Sequence, residues 1–599
     1  MAEVSRRDAL ALAARKRKHP RKAERLPAPT HLHATLVKSS FVGIAWNTVE
    51  PHPRTRHLVY DVFRDGRLVA TVHQHPLFND HDVKSRRVYR YRVRARVGRV
   101  RGDKSHQLTV RTPAALVQTK PPSPEPAPSL GSSPTPSPTP SPTPTPTPTP
   151  TPPVILTEAM VDRLFWRAGF GPGAADRQQW TGQPVTALVD YFLTTPYALA
   201  PTTTPATDGG VPISSIPVTQ WSANAVQSEW IDRMQRVTNP FIERLNFFWT
   251  RHFAANIQVV VNTPTMVAYR DRMRRYSDLA TYPSASFRDL AVEMVTEDAA
   301  LSLYLTGNLN QKGHPNENLA REFMELFTLG VTDAEGNPNY SQADVEEVAR
   351  AFTGYTVPFN PNGETVVFDP KEADTGVKTI LGQTGAFTAP DAVDIILSQP
   401  SHAPFITTKI WGEFIPTPIP ADALASLTSA YLSSGMQLAP LLSGILNHPL
   451  IFDSIDEPTM IKPPVVFTPG VLRALAVPIT GQEVQPMFDM GQQVYHPPNV
   501  AGWPGGLAWM SSGTAVARFD LILHCLASLP AVADIQGETA QEAYDRAYAA
   551  VGSPWLSSDT EASLLAYASQ APTATPADRR ERQYALMALM LGGPDGQVM

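Results

Sequence analysis

Apolar residues recur along this chain with two different periods, and the change of period divides it. From Val88 to Val97 they alternate without a break, placing Tyr89, Tyr91, Val93, Ala95 and Val97 on one side and Arg90, Arg92, Arg94 and Arg96 on the other. That is a strand with one face in a core and one in water. Asp65-Gly66 between Val62-Phe63 and Leu68-Val69 predicts a hairpin, and Phe41-Val-Gly-Ile-Ala-Trp46 supplies an earlier strand carrying a tryptophan. Beyond residue 154 the spacing becomes three to four residues, and helices are predicted over 239–253, 286–305, 315–329 and 341–352. Ser341 with Asp344 caps the last of these and Gly354 closes it. Strand signals survive there only at 365–368 and 378–381. The fold class expected is therefore a small all-β sandwich joined by a Pro/Thr-rich linker to a large, mostly α-helical domain. The boundaries are a basic tail at 1–26, the sandwich at 27–112, the linker at 113–153 and the helical domain at 154–599.

The linker alternates Pro-Thr and Pro-Ser, so it predicts an extended polyproline II spacer, since proline fixes φ and removes the amide donor. Its composition resembles the O-glycosylated stalks of secreted proteins, which favours an extracellular or cell-surface address. The opening Ser5-Arg-Arg-Asp-Ala-Leu10 resembles a twin-arginine export signal, but only Ala9 to Ala14 follow as an apolar run before Arg15-Lys-Arg-Lys18. A complete signal is not evident, and a cytoplasmic address stays open. No uninterrupted apolar run of 18 residues exists, so no transmembrane helix is supported.

Charge sharpens the division. Residues 1–112 hold 25 Lys and Arg against 9 Asp and Glu, a balance of +16; with a net charge of −4 for the chain, the rest carries −20. A basic front joined to an acidic body suggests an anionic partner for the front: a wall polymer or other anionic polymer, a membrane surface or, less favoured beside the stalk, nucleic acid. The row Arg90, Arg92, Arg94 and Arg96 is either a solvated strand face or an anion-binding stripe. His73-x-His75 and His81-Asp82 lack a defined metal-ligand spacing. Cys525, the single cysteine, sits in an apolar context and reads as a buried thiol.

The helix predicted from Pro315 to Gly330 carries more organised polarity than packing needs. Leu319, Ala320, Phe323, Met324, Leu326 and Phe327 form one arc; Glu317, Asn318, Arg321, Glu322 and Glu325 fill the other, with Pro315 placed in the first turn. Two readings fit. The flank is solvated and laced by a Glu317–Arg321–Glu325 ladder, or Glu322 and Glu325 face a polar cleft as cation ligands or acid–base groups. Around them stand His252, Asp374 and Arg321 as further candidate catalytic groups, and Asn316, Glu317, Asn318, Lys378, His496 and Asn499 as candidate binding groups. The loop Pro497-Pro-Asn-Val-Ala-Gly-Trp-Pro-Gly-Gly506 presents Trp503, with Trp509 nearby, either as a plug or as an aromatic platform for a sugar or peptide. A divalent metal is compatible with this donor set, but no ligand group is defined, so the cofactor is left unknown.

Two resemblances follow from these residues. Trp46 and Tyr89-x-Tyr91-x-Val93-x-Ala95 resemble a fibronectin type III module, which implies a spacer or binder. Leu164-Phe-Trp-Arg-Ala-Gly-Phe-Gly-Pro172, Glu243-Arg-Leu-Asn-Phe-Phe-Trp-Thr-Arg-His-Phe-Ala254, Pro315 to Gly330, Asp344 to Gly354 and Gly491 to Gly506 with Trp509 resemble the bacterial family known as domain of unknown function 1800. The resemblance implies export and transfers no activity. This chain departs from the family pattern by Thr250 where Phe-Trp-His-x-His-Phe has its first histidine, and by Ala373 where His-Asp-x-Gly is expected, while His252, Asp374 and Lys378 are kept. Gly-x-Ser-x-Gly, His-Glu-x-x-His, phosphate-loop, dinucleotide and Cys-x-x-Cys signatures are absent, which argues against the common hydrolases, kinases and nicotinamide enzymes. The leading expectation is an extracellular enzyme acting on a polymer or glycan through a carboxylate-rich pocket. The alternative is a non-catalytic cell-surface binding or assembly protein.

Overall fold

A computed structural model describes residues 26–30, 32–38, 41–46, 58–73, 77–80, 83–97, 100–112, 153–201, 207–208 and 211–599. The export-signal resemblance, the Pro/Thr linker, His75, His81, Asp82 and the side chain of His73 lie outside the described residues. The chain forms two units.

The first unit is a β sandwich. One sheet pairs β1 (His33–Lys38), β2 (Phe41–Ala45) and β5 (Leu77–Asp80); the other orders β4 (Arg67–His73), β3 (Leu58–Arg64), β6 (Val88–Val97) and β7 (Val100–Lys104), with β8 (Leu108–Arg111) also pairing β6. The alternation of β6 is realised: Tyr89, Tyr91, Val93 and Ala95 are buried with Val42, Ile44, Trp46, Tyr60 and Val62 from both sheets, and Val97 is half-buried. Trp46 meets Tyr60 edge to face at 5.4 Å between centroids. At the β3–β4 hairpin, Asp65 and Gly66 have φ of 49° and 84°, the left-handed pair that a tight hairpin turn needs and that the Asp-Gly dipeptide supplies.

The second unit is mostly helical around one continuous apolar core that runs in sequence from Leu156 to Met599. At its centre lies the helix Pro240–His252, capped by the Asn239 side chain. Phe241, Leu245, Phe247, Phe248 and Trp249 are buried, and so are the polar Glu243, Arg244 and Asn246 on its other faces. A helix buried all round must pair its polar groups internally. Glu243 accepts from Trp230 Nε1 and Arg274 Nε at 2.7 Å and from Asn246 at 3.1 Å; Arg244 pairs with Glu413 at 2.6 Å and donates to the Arg167 carbonyl.

Two predicted helices differ from expectation. The segment 286–305 is two helices, Phe287–Thr296 and Ala299–Tyr304, because Asp298 caps a new start by accepting from Leu301 N at 2.9 Å. The segment 315–329 is an α-helix only over Glu317–Glu322 and becomes a π turn over Phe323–Thr328, where Leu329 N bonds Met324 O at 3.0 Å. Asn316 is its cap, so Pro315 precedes the helix instead of opening its first turn. The weak strands appear as Val367–Phe368, paired with Tyr355–Thr356, and Lys378–Ile380, paired with Gln383–Gly385.

Candidate functional site

The π turn is held by donors from distant parts of the unit. Its exit leaves carbonyls without intrahelical partners, and each of five successive ones receives a side chain: Lys409 Nζ reaches Leu326 O at 2.6 Å, His252 Nε2 reaches Phe327 O at 3.0 Å, His402 Nδ1 reaches Thr328 O at 3.0 Å, and Asn339 Nδ2 reaches Leu329 O and Gly330 O at 2.9 and 3.0 Å. A carbonyl only accepts, so both imidazoles donate there, and the remaining His402 Nε2 accepts from Tyr431 Oη at 3.0 Å. Burial pushes both histidines down, His402 to about 4, and burial with the neighbouring Arg251 charge pushes Lys409 down to about 8.

This corrects the place of His252. Its ring is 6% exposed, lies among Phe248, Trp249, Phe253, Phe287 and Phe327, and spends its Nε2–H on a backbone carbonyl, so it is a core histidine and does not open to a cleft. Thr250, where the family pattern has a histidine, is also buried and donates to Asn246 O at 2.9 Å.

The polar flank of the same helix divides in two. Glu317 accepts from Arg321 and from Gln342 at 2.8 Å, and Arg321 also donates to Gln342 Oε1 at 2.8 Å. Glu325 does not complete the expected ladder; it accepts from Tyr340 Oη at 3.4 Å. Glu322 is half-buried and its carboxyl has no hydrogen-bond partner among the described residues. Burial and the charge of Glu325 raise it to about 7, against a smaller opposite pull from Arg321. Burial, with the charge of Glu322 beside it, raises Tyr304 to about 12.

The other candidates do not join this pair. Asn316 caps the helix, and Asn318 donates to Leu305 O at 3.0 Å. Asp374 accepts from Arg350 Nε at 2.8 Å and from Gly376 N at 2.8 Å; that guanidinium and amide hold it down at about 2. Lys378 is buried and donates to the carbonyls of Asp374 and Gly376 at 2.6 and 3.0 Å, so both residues fasten one loop and neither faces a cleft. His496 packs on Phe488, and Asn499 turns its own loop by accepting from Ala501 N. Trp503 and Trp509 are 7% and 2% exposed and cluster with Ile461, Met510 and Val598. They are packing residues, and an exposed aromatic platform is ruled out by that burial. Among the described residues, no three His, Cys, Asp or Glu side chains converge as a metal-ligand group.

On the β unit the arginine row is not uniform. Arg94 and Arg96 turn to Asp61 at 2.8 and 3.2 Å, while Arg90 and Arg92 remain exposed.

Of the candidates read from the sequence, Glu322 is a half-buried carboxyl raised to about 7, with Glu325, Tyr304, Tyr340 and Arg321 around it. Residues that sequence reasoning missed include His402, Tyr431 and Lys409, which hold the segment, and Tyr304 and Tyr340, which flank the pair. None carries a local signal, because each is defined by a partner 15 to 83 positions away.

Comparison with known proteins places these observations. The β unit is similar to solved fibronectin type III domains: a human one at 16% identity, covering 22% of this chain and all of the other with a TM-score of 0.14, and the central array of a RIM-binding protein at 28% identity, covering 14% and 35% with a TM-score of 0.13. A family 28 exopolygalacturonase of Yersinia enterocolitica matches at 18% identity and a TM-score of 0.13 over 15% of this chain, which spans only 20% of that enzyme. No curated protein matches. A family model described as a protein of unknown function (DUF1800) matches residues 163–598, from the first core helix through the π turn to the end of the helical unit. The chain belongs to the DUF1800 family.

Proposed function

We propose that the protein works outside the cytoplasm on an acidic polymer or glycan, which its basic β unit holds and its helical unit cleaves, with Glu322 as proton donor and Glu325 as the carboxylate that accepts a proton. The observation that supports the catalytic half is the Glu322 carboxyl itself, half-buried, without a hydrogen-bond partner among the described residues and next to a like charge. A group in that setting keeps its proton where an ordinary glutamate has lost it, so it can protonate a leaving oxygen at neutral pH. Its neighbour on the same turn can take a proton from water. Hydrolysis of a glycosidic bond needs that division of labour between two carboxyl groups. Neither step requires the buried histidines.

The test is release of soluble reducing ends from polygalacturonate and from purified bacterial cell-wall sacculi by the full-length protein. Wild type should release product, and Glu322→Gln should lower the rate by roughly 100-fold or more, the range for loss of a general acid, while leaving the melting temperature within a few degrees. Product release that Glu322→Gln leaves intact removes Glu322 from the chemistry. Binding to either polymer without any product would leave a binding or assembly role in place of an enzymatic one.

A further inference from the structure

The pairing register of the β unit puts more cations on one surface than the arginine row alone. Directly opposed residues share a face of an antiparallel sheet. Arg94 lies opposite Lys104, Arg96 opposite Arg101, and Val88, two residues before Arg90, opposite Arg111, so Arg101, Lys104 and Arg111 join the row on the outer face of the five-stranded sheet. Asp61, opposite Arg94, faces the same way, and it is taken by Arg94 and Arg96. Of the remaining cations, Arg90 and Arg92 lie towards the hairpin end of β6 and Arg101 towards the other.

At the hairpin end Arg90, Arg92 and Lys104 line an open groove of about 340 Å³ with Phe63 and Gln107. None of the three cations has an ion pair among the described residues. Asp65 also borders the groove, and its carboxylate accepts from the backbone amide of Arg90 at 3.0 Å. The Phe63 ring is covered by cations, with Lys104 Nζ 3.8 Å and the Arg94 guanidinium 5.0 Å from its centroid. The one aromatic ring of the groove is thus already engaged and not free to stack a nucleobase, and what the groove offers is positive charge at strand spacing, about 7 Å between Arg90 and Arg92 at about 3.4 Å per residue.

We propose that this groove, and not the arginine row as a whole, is the binding surface of the β unit, and that it takes a linear, base-free polymer bearing one anion, phosphate or carboxylate, on each repeat. This rests on the reading that the β unit holds an acidic polymer, and it narrows that reading to three side chains and one class of ligand.

The experiment uses full-length protein and fluorescence anisotropy with end-labelled inorganic polyphosphate, end-labelled polygalacturonate and a labelled DNA duplex of similar charge, each over a salt series. An Arg90→Ser/Arg92→Ser double variant is compared with Lys312→Ser/Lys371→Ser, which removes the same charge from exposed sites on the helical unit. The expected result is binding of at least one base-free polymer, weakened roughly 10-fold or more by the Arg90/Arg92 pair and within 2-fold of wild type for the control, with a shallower salt dependence because fewer counterions are released. Polyphosphate against polygalacturonate tells phosphate from carboxylate. Binding that the Arg90/Arg92 variant leaves unchanged overturns the groove but not the anchoring role. Tighter binding of the duplex than of both polymers overturns the ligand class. No binding by wild type overturns the anchor as well.

Discussion

Glu322 and His402 show how the same burial yields opposite proton states. Burial disfavours charge in each, so the carboxyl keeps its proton up to about 7 and the imidazole refuses one down to about 4. For His402 the consequence is a pH-dependent stability of known sign. Its folded pKa lies below the ordinary value of about 6.5, so the unfolded chain binds a proton that the folded chain does not, and stability present above about pH 6.5 is lost as pH falls towards 4. His402→Leu should remove that component and, by stranding Thr328 O and Tyr431 Oη, should cost about 2–4 kcal/mol at neutral pH. Urea denaturation at pH 7 and pH 5 measures both; a variant whose loss is the same at the two pH values would contradict the assignment. The sequence could not announce this residue. His402 opens a helix behind Ser398, Gln399 and Ser401 in no recognisable motif, and its partners lie 74 and 29 positions away. His252, by contrast, lay in a conspicuous aromatic motif, and that motif marked the core.

The segment Glu317–Thr328 carries the account because its capping, and not its own periodicity, sets its shape. Its amphipathic pattern was readable, since three-to-four-residue spacing is the same for an α-helix and for one that widens at its end. The π turn was not, because it depends on Thr328 bonding Phe323 O and on donors from Asn339, Lys409 and two histidines. The same holds for the split at Asp298, where a single cap interrupts a continuous apolar pattern. The alternating strand β6 was the most legible element, because period two with tyrosine inside and arginine outside has one solution. Asn339 offers the sharpest test of the capping scheme: Asn339→Ala leaves two carbonyls without their side-chain donor and should cost about 1–3 kcal/mol. Hydrogen exchange should then show faster opening of the Leu329 amide, which closes the π turn, with little change in Pro240–His252. Unaltered exchange at Leu329 would mean that the turn holds without Asn339.

Across the molecule, opposite charge is segregated by unit, with +16 in residues 1–112 and −20 in the remainder. That division was plain in the sequence, as was membership of the helical family, because both depend on composition and on long runs of motif. The contacts of the polar candidates were not plain: Asp374 and His252, read as catalytic, and Lys378, read as binding, are taken up by loop and turn contacts, while Glu322 and Glu325 make no ion pair among the described residues. If the basic unit holds an acidic polymer, a carboxyl on the acidic unit that keeps its proton is one an anionic chain can approach without repulsion from that group. The most direct measurement is the difference infrared spectrum of full-length wild type minus Glu322→Gln, followed through the protonated-carboxyl stretch as pH is raised. The expected result is a band that persists at pH 6 and is half lost near pH 7. A band already gone just above the ordinary glutamate value of about 4.3 would contradict it.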